Sequence, residues 1–184
     1  MTAITLSRIG KLSGTMSGKK TDVEDELEIL QRESFSYFVH EANPANGLVI
    51  DKTAPNWPAS IAATGFALAA YPLGIVRGFM SRAAAGERTL TTLRSFWNSP
   101  QGPEPDATGY QGFYYHFLDM RTGRRAWQCE LSTIDTAFLL AGMLTAASYF
   151  DSDTPDEHEI RTLPPRQLAL GPKRGSNVDA GLEA

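Results

Sequence analysis

The spacing of hydrophobic and polar residues predicts four helices in the middle of the chain. Apolar residues recur at helical spacing over 22–41, and acidic residues crowd the start of this segment, as the helix dipole favours. Residues 60–75 are small and apolar nearly all round, which is typical of a helix buried on every side. A serine, a residue type that caps helix N-termini, precedes each of the other two predicted helices, 82–98 and 133–150.

A long segment rich in glycine, proline and aromatic residues separates the third and fourth predicted helices. Its stretch 113–119 is followed by Gly123, and this order is typical of a strand, a turn and a second strand. The connections are longer than the roughly 2 to 8 residues that join helices in a bundle. We therefore predict an all-α fold of about four helices in antiparallel pairs, with one aromatic hairpin loop.

Both ends of the chain lack this periodicity. Residues 1–21 contain basic side chains, no acidic one and several Gly, Ser and Thr, which predicts a disordered leader. The helix-forming residues 156–161 are followed by Pro164 and Pro165, which predict the end of the helix. The sequence thus predicts three segments: a leader (1–21), a folded domain (22–161) and a disordered tail (162–184).

No targeting or membrane segment is recognisable. A secretory signal needs an apolar run of about 7 to 15 residues after its basic start, and the leader contains none, so we expect a cytoplasmic protein. Prolines interrupt the long uncharged span 53–76 and leave it shorter than the ~20 apolar residues that cross a bilayer. We therefore expect no membrane partner.

Charge and composition narrow the classes of function. The 184 residues carry 17 basic and 21 acidic side chains, and this net charge of −4 disfavours a nucleic-acid partner. The single cysteine, Cys129, cannot form an internal disulfide, and the three histidines are too widely spaced for a zinc signature. We expect neither a metal nor another cofactor. Cys129 is interpreted as an inert thiol, because no histidine neighbours it.

Aromatic and carboxylate side chains concentrate between residues 100 and 135. Such a mixture suits sugar recognition, because a pyranose ring offers an apolar face for stacking and a rim of hydroxyls for carboxylates. Cleavage of a glycosidic bond requires two carboxyl groups, for which Glu130 and Asp135 are the candidates. Asp135 also occupies a position that caps a helix N-terminus, so a purely structural role stays open.

Several aromatic residues are candidates for binding the sugar itself. Trp57 and Trp127 could form stacking platforms, although each could equally pack in a core. Tyr114 is a further aromatic candidate. His116 lies within the aromatic stretch, where a hydrogen-bonded structural role is the alternative.

Four motifs occur in an order that resembles one known family. They are Asn43-Pro44 with Gly47-Leu48-Val49, then Ser60-Ile61-Ala62-Ala63-Thr64-Gly65-Phe66, then Phe113-Tyr114-Tyr115-His116-Phe117-Leu118-Asp119, and finally Cys129-Glu130-Leu131-Ser132-Thr133-Ile134-Asp135-Thr136-Ala137. Over about residues 30–151 the chain resembles the opening part of the bacterial glucoamylase-like proteins. That group includes endo-β-1,2-glucanases and is similar to a domain of cyclic β-1,2-glucan synthases.

The resemblance implies an (α/α)6 toroid of six helix pairs, with a substrate cleft at one end and no required metal. It also implies hydrolysis of a β-linked oligo- or polysaccharide by carboxylate acid/base chemistry. The residues that it implies in the cleft are Glu130, Asp135, His116 and Asp119. Such a toroid needs roughly 350 to 400 residues, so we expect only the N-terminal part of the fold.

Two of six helix pairs cannot close a barrel. We therefore expect exposed apolar helix faces, self-association and no hydrolysis by the chain alone. Loss of the reading frame near Thr162 would explain the aperiodic tail. Two other functions stay open: a non-catalytic carbohydrate-binding or assembly module that stacks sugars on Trp57, Trp127 and Tyr114, and an inert truncated product.

Overall fold

The structure is a computed structural model that describes residues 22–169. The helices in this range are α1 (Asp22–His40), α2 (Ile61–Val76), α3 (Arg82–Asn98), α4 (Thr133–Tyr149) and α5 (Pro155–Ala169). The first four confirm the helices predicted from the sequence. The predicted leader, 1–21, lies outside the described residues, as do residues 170–184 of the predicted tail. No helix between residues 22 and 169 combines the length and hydrophobicity needed to span a bilayer.

The fifth helix corrects two predictions, the number of helices and the helix end at the proline pair. Helix α5 continues through Pro164 and Pro165. Each proline lacks the N–H that would bond the preceding turn. Ile160, Leu163 and Pro164 are nevertheless buried, and this burial offsets the lost bonds. The helix crosses position 162, and the three-segment organisation stays a prediction.

Serine side chains cap the N-termini of three helices. The hydroxyls of Ser60, Ser81 and Ser132 accept the backbone N–H three residues further on, at 3.4, 3.2 and 3.2 Å. Each satisfies an amide that has no partner within its own helix. The helix starts predicted at residues 82 and 133 are therefore confirmed, together with the interaction that sets them.

The most extensive helix packing joins alternate helices, since α2 packs on α4 and α3 packs on α5. At the first of these contacts, a Cβ on Gly142 would overlap the carbonyl oxygen of Gly65, so the two backbones touch. The core also includes fully buried side chains from both helices, namely Leu68, Tyr71, Leu139 and Met143. A bulkier residue at either glycine would force α2 and α4 apart.

Short strands connect the aromatic stretch to the helices. They are β1 (Ala59–Ser60), β2 (Gly109–Tyr110), β3 (Phe113–Tyr115), β4 (Phe117–Leu118) and β5 (Leu131–Ser132). Antiparallel pairing of β4 with β1 sets Phe117 opposite Ser60, and pairing of β3 with β5 sets Tyr114 opposite Ser132. The N-termini of α2 and α4 therefore lie beside the same aromatic stretch.

The predicted hairpin is present, and its first strand is the end of this stretch. Leu118 bridges antiparallel to Arg125, and between them the N–H of Asp119 donates to the carbonyl of Arg124 at 2.7 Å. Gly123 has a φ of +68°, in the region that favours glycine. The strand pairings and the hairpin together hold residues 113–125 beside the starts of α2 and α4.

Candidate functional site

His116 lies between the two carboxylates that the sequence indicates. Its Nδ1 is 2.8 Å from Glu130 Oε1, and its Nε2 is 3.6 Å from Asp135 Oδ2. The backbone fixes the arrangement, because the N–H of His116 donates to the carbonyl of Glu130 at 3.1 Å. The N–H of Ile61 donates to the carbonyl of His116 at 3.2 Å. One imidazole ring therefore separates the two carboxylates.

Asp135 supports the helix cap at Ser132, so it has a structural role of the kind that the sequence left open. The hydroxyl of Ser132 donates to Asp135 Oδ2 at 2.6 Å and accepts the backbone N–H of Asp135 at 3.2 Å. The Ser132 hydroxyl is thus the N-cap of α4, and the Asp135 carboxylate orients that hydroxyl. With 16% of its side chain exposed, Asp135 both stabilises the start of α4 and faces His116. A catalytic role for Asp135 stays a prediction.

Glu130 is the more exposed of the two carboxylates, with 66% of its side chain accessible. Its own backbone N–H is the largest cause that lowers the pKa of this carboxyl, followed by the hydrogen bond with His116. The positive charge of Arg125 acts in the same direction. Glu130 is therefore ionised at neutral pH and suited to accept a proton or a hydroxyl hydrogen bond.

Trp57 and Trp127, which are far apart in the sequence, meet at an open cavity. Their ring centroids are 4.8 Å apart with an interplanar angle of 78°. The cavity has a volume of about 650 Å³ and is lined also by Asn56, Pro58, Asp119, Met120, Arg121, Arg125 and Ala126. Trp57 is held by a hydrogen bond from its Nε1 to Asp51 Oδ2 at 3.1 Å. Trp127 is 58% exposed, so it presents an aromatic surface to the cavity.

Phe117 joins the tryptophan cavity to the carboxylates. Its ring stacks on the imidazole of His116, with centroids 3.9 Å apart and an interplanar angle of 14°. The same ring contacts Trp127 at 5.4 Å and 60°. The cluster of His116 with its two carboxylates and the tryptophan pair therefore form one continuous site.

An unusual turn carries Trp127. Trp127 and Gln128 have φ values of +54° and +52°, and the N–H of Cys129 donates to the carbonyl of Ala126 at 3.1 Å. Such a turn favours Asn-Gly at its centre, and each residue with a Cβ costs about 1 to 2 kcal/mol there. The guanidinium of Arg125 donates to the carbonyls of Gln128 and Cys129 and holds the turn closed.

Tyr114 is a correction to the predicted substrate-binding residues. It is 2% exposed, and its ring packs edge-on against Phe96 with centroids 5.0 Å apart. The N–H of Tyr114 donates to the hydroxyl of Thr136 at 2.9 Å, which fixes the strand on α4. Because strand pairing turns this ring into the core, Tyr114 cannot stack on a sugar.

Asp119 lines the cavity, but its carboxylate serves the hairpin turn. Its Oδ1 accepts the backbone N–H groups of Arg121 and Thr122 at 3.1 and 2.8 Å, and the hydroxyl of Thr122 at 2.9 Å. The pKa of Asp119 is lowered, chiefly by the Thr122 N–H. Its predicted contact with substrate stays a prediction.

Arg125, Lys52 and Arg121 belong to the site but escape reasoning from the sequence. Lys52 Nζ lies 3.7 Å above the ring of Trp57, and Arg121 lines the cavity. No feature of the neighbouring sequence marks any of these three cations as part of a site. Cys129 is engaged with the backbone, since its Sγ lies 3.2 Å from the N of Phe117.

Metal binding can be judged only over the part of the chain that the structure describes. Between residues 22 and 169, no group of three or more His, Cys, Asp or Glu side chains is arranged to hold a metal ion.

Comparisons with known proteins give a consistent set of relatives, although no family model matches the chain. The exo β-1,2-glucooligosaccharide sophorohydrolase (non-reducing end) of Parabacteroides distasonis is 30% identical over 157 residues. A glucoamylase-like protein of Bacteroides uniformis has a solved structure that is 30% identical, with a TM-score of 0.68. The β-1,2-glucanase structure from Parabacteroides distasonis is 28% identical, with the same TM-score of 0.68.

Each match covers most of this chain and a minor part of the relative. The alignments include 81% of the chain, but only 21% of the sophorohydrolase, 36% of the Bacteroides uniformis protein and 21% of the β-1,2-glucanase. The predicted all-α fold agrees with the mostly helical structure of the described residues, which also contain short strands. The chain is therefore a relative of the glucoamylase-like proteins and β-1,2-glucanases, and it corresponds to 21–36% of their length.

Proposed function

We propose that this chain forms one wall of a β-1,2-glucan site in a glycoside hydrolase of the glucoamylase-like type. Two of its relatives, a sophorohydrolase and a β-1,2-glucanase, support the substrate class. Because the chain spans a minor part of each, the activity of the complete relatives is carried over as part of this proposal. The substrate is a saccharide rather than a nucleic acid.

The observation that carries the proposal is the continuous row of rings from the carboxylates to the cavity. His116 contacts Phe117, Phe117 contacts Trp127, and Trp127 contacts Trp57. A glucan lying along this row would stack the apolar face of one sugar on Trp127 and bring hydroxyls to Glu130. The same row offers contacts to more than one sugar unit.

The surroundings of the two carboxylates indicate which role in glycoside hydrolysis each could have. Glycoside hydrolysis needs one protonated carboxylic acid and one ionised carboxylate. Glu130, with its lowered pKa, suits the base or the acceptor of a sugar hydroxyl. Asp135 accepts the hydroxyl of Ser132 at 2.6 Å, which ties its carboxylate to the start of α4. Because the chain corresponds to only 21–36% of its relatives' length, we propose that the chain alone binds glucan without cleaving it.

The helices are proposed to be a portion of an (α/α)6 toroid. Packing of α2 on α4 and of α3 on α5 supports two layers, an inner one and an outer one, as a toroid of helix pairs requires. Both inner helices begin beside the aromatic stretch, which would lie at one end of the barrel. The antiparallel pairing of consecutive helices is part of this proposal.

Self-association is proposed through the apolar face that α2 and α4 expose. Phe66 is 49% exposed, Ile134 is 66% exposed and Phe138 is 44% exposed, and the two phenylalanine rings lie 5.3 Å apart. Apolar patches of this kind promote association in water. Sedimentation velocity of the chain should show concentration-dependent oligomers that Phe138→Ser weakens, and monomers at every concentration would contradict the proposal.

Calorimetric titration with β-1,2-glucooligosaccharides tests the proposed function. We expect saturable binding that Glu130→Gln weakens and that Glu87→Gln, a change of an exposed glutamate on α3, leaves unaltered. Trp127→Ala should weaken binding, whereas Tyr110→Ala, an exposed aromatic residue on β2 outside the cavity, should not. A reducing-sugar assay on the same samples should detect no product. Absence of binding by the folded chain would overturn the proposal.

A non-catalytic carbohydrate-binding module is the second candidate, and the 58% exposure of Trp127 favours it. The two candidates differ in their dependence on Glu130. If Trp127→Ala abolishes binding while Glu130→Gln has no effect, stacking alone recognises the sugar and the binding module is correct. Hydrolysis that depends on Glu130 would instead indicate a complete catalytic site in this chain.

A further inference from the structure

The turn 126–129 adopts a conformation that its own residues disfavour. Trp127 and Gln128 occupy two successive positions with positive φ, at +54° and +52°. Asn-Gly is the usual choice at such positions, because bulky side chains are strained there. Local preference therefore cannot explain why this turn forms, and an interaction from outside the turn must hold it.

Arg125 supplies that interaction through its side chain. Its Nε donates to the carbonyl of Cys129 at 2.7 Å, and its Nη2 donates to the carbonyl of Gln128 at 2.7 Å and also to that of Cys129. The planar guanidinium lies over the ring of Tyr115, with Cζ 4.0 Å from the centroid. A planar fork that bonds two successive carbonyls is a geometry that lysine cannot reproduce.

Arg125 is itself fixed to the hairpin. Its backbone N–H donates to the carbonyl of Asp106 at 3.2 Å, and the residue bridges to Leu118. The side chain of Arg125, with its bonds to the carbonyls of Gln128 and Cys129, is the clamp of this turn. The clamp therefore connects the turn to the hairpin. Trp127 lies inside the turn that the clamp holds, and Glu130 directly follows the turn.

We infer that Arg125 is a positioning residue that holds the left-handed turn 126–129 and thereby orients Trp127 at the cavity. Its effect on glucan binding rests on the proposed function. Its effect on the turn does not, and the two can be measured separately.

Fluorine NMR of the full chain labelled with 5-fluorotryptophan tests the effect on the turn without any sugar. The chain has three tryptophans, and the resonance lost in Trp127→Phe identifies Trp127. We expect Arg125→Ala to shift or broaden this resonance, and Arg125→Lys to do so to a smaller extent. Arg124→Ala, a change of the neighbouring exposed arginine, should leave it in place. Circular dichroism of each variant verifies that the helices are retained.

A second-site change separates a positioning role from a general loss of stability. Gln128→Gly places glycine where a positive φ is free of strain. Added to Arg125→Ala, it should restore the Trp127 resonance to its original position, because the turn then forms without the clamp. If the resonance is unchanged in Arg125→Ala, or is not restored by Gln128→Gly, the inference is wrong.

Titration of the same variants with a β-1,2-glucooligosaccharide links the turn to function. Arg125→Ala should bind about tenfold more weakly, the change expected when a released side chain must be ordered on binding. The double variant should recover this affinity. If the resonances behave as expected while no variant, nor the original chain, binds the sugar, the positioning role of Arg125 stands and the proposed function fails.

Discussion

His116 and Glu130 face each other across neighbouring segments of the site, with Nδ1 of the imidazole 2.8 Å from Oε1 of the carboxylate. The backbones of the same two residues are joined by a hydrogen bond at 3.1 Å. This double connection fixes the carboxylate beside the row of aromatic rings. It also accounts for part of the low pKa of Glu130.

Replacement of His116 should therefore raise the pKa of Glu130. We expect His116→Gln to move this pKa part of the way towards that of a solvated glutamate, because the largest cause of its lowering, the Glu130 backbone N–H, remains. A ¹³C NMR titration of the carboxyl group measures the change. His158→Gln, a change of an exposed histidine on α5, provides the control. An unaltered titration of Glu130 in His116→Gln would contradict the pairing.

The ion pair of Glu157 with Arg82 should make stability depend on pH. Arg82 donates from Nε and Nη2 to the two carboxylate oxygens, both at 2.8 Å, and Ser152 donates its N–H at 2.7 Å. These bonds, those from Arg82 first, lower the pKa of Glu157 to about 2. Because of this lowered pKa, ionised Glu157 contributes roughly 2 to 3 kcal/mol to the free energy of unfolding at pH values above about 4.3, the pKa of glutamate in the unfolded chain. This contribution is lost as the pH falls to about 2.

Urea denaturation of Glu157→Gln at pH 7 and at pH 3 measures this contribution. We expect the variant to lose at least about 2 kcal/mol of unfolding free energy at pH 7 and to show a flatter decline towards pH 3. Glu159→Gln is the matched control on the same helix. Its partner Arg94 is 51% exposed, so its loss should stay below about 1 kcal/mol. Equal losses in the two variants would argue against a special role for Glu157.

The contact between α2 and α4 should tolerate no side chain at Gly142. A Cβ there would overlap the backbone of Gly65, so we expect Gly142→Ala to lower the free energy of unfolding by about 1 to 3 kcal/mol. Gly86 on α3 is the control, because its Cβ would meet only Phe150, at 3.7 Å. Gly86→Ala should raise stability by up to about 1 kcal/mol, since alanine favours the helix. Urea denaturation curves of both variants measure these changes. An unchanged free energy of unfolding in Gly142→Ala would show that α2 and α4 can separate.

Elements that depend on neighbouring residues could be predicted from the sequence. Ser81 and Ser132 precede helices that begin where the cap requires, and the turn at Gly123 forms where glycine permits it. Glu130 and Asp135 are close in the chain, so their common location follows from the helix start between them. In each case the interaction spans only a few residues.

Contacts between distant segments could not be predicted in the same way. No residue near Trp57 in the sequence indicates that it meets Trp127. The two rings meet because β1 pairs with β4, which is distant in the sequence. Burial of Tyr114 cannot be predicted, because its three-residue strand is too short for an alternating pattern to show which face is buried. The prolines of α5 predict a helix end that does not occur, because tertiary burial of Leu163 outweighs their local preference.

A titration of the ¹⁵N-labelled full chain with a β-1,2-glucooligosaccharide tests the proposed glucan wall most directly. The indole N–H signals of the three tryptophans can be followed in one series of spectra. Signals of Trp57 and Trp127 should move with the sugar concentration, while that of Trp97, which does not line the cavity, should stay in place. No movement at all, or movement of Trp97 equal to that of the other two, would contradict a glucan site at this cavity.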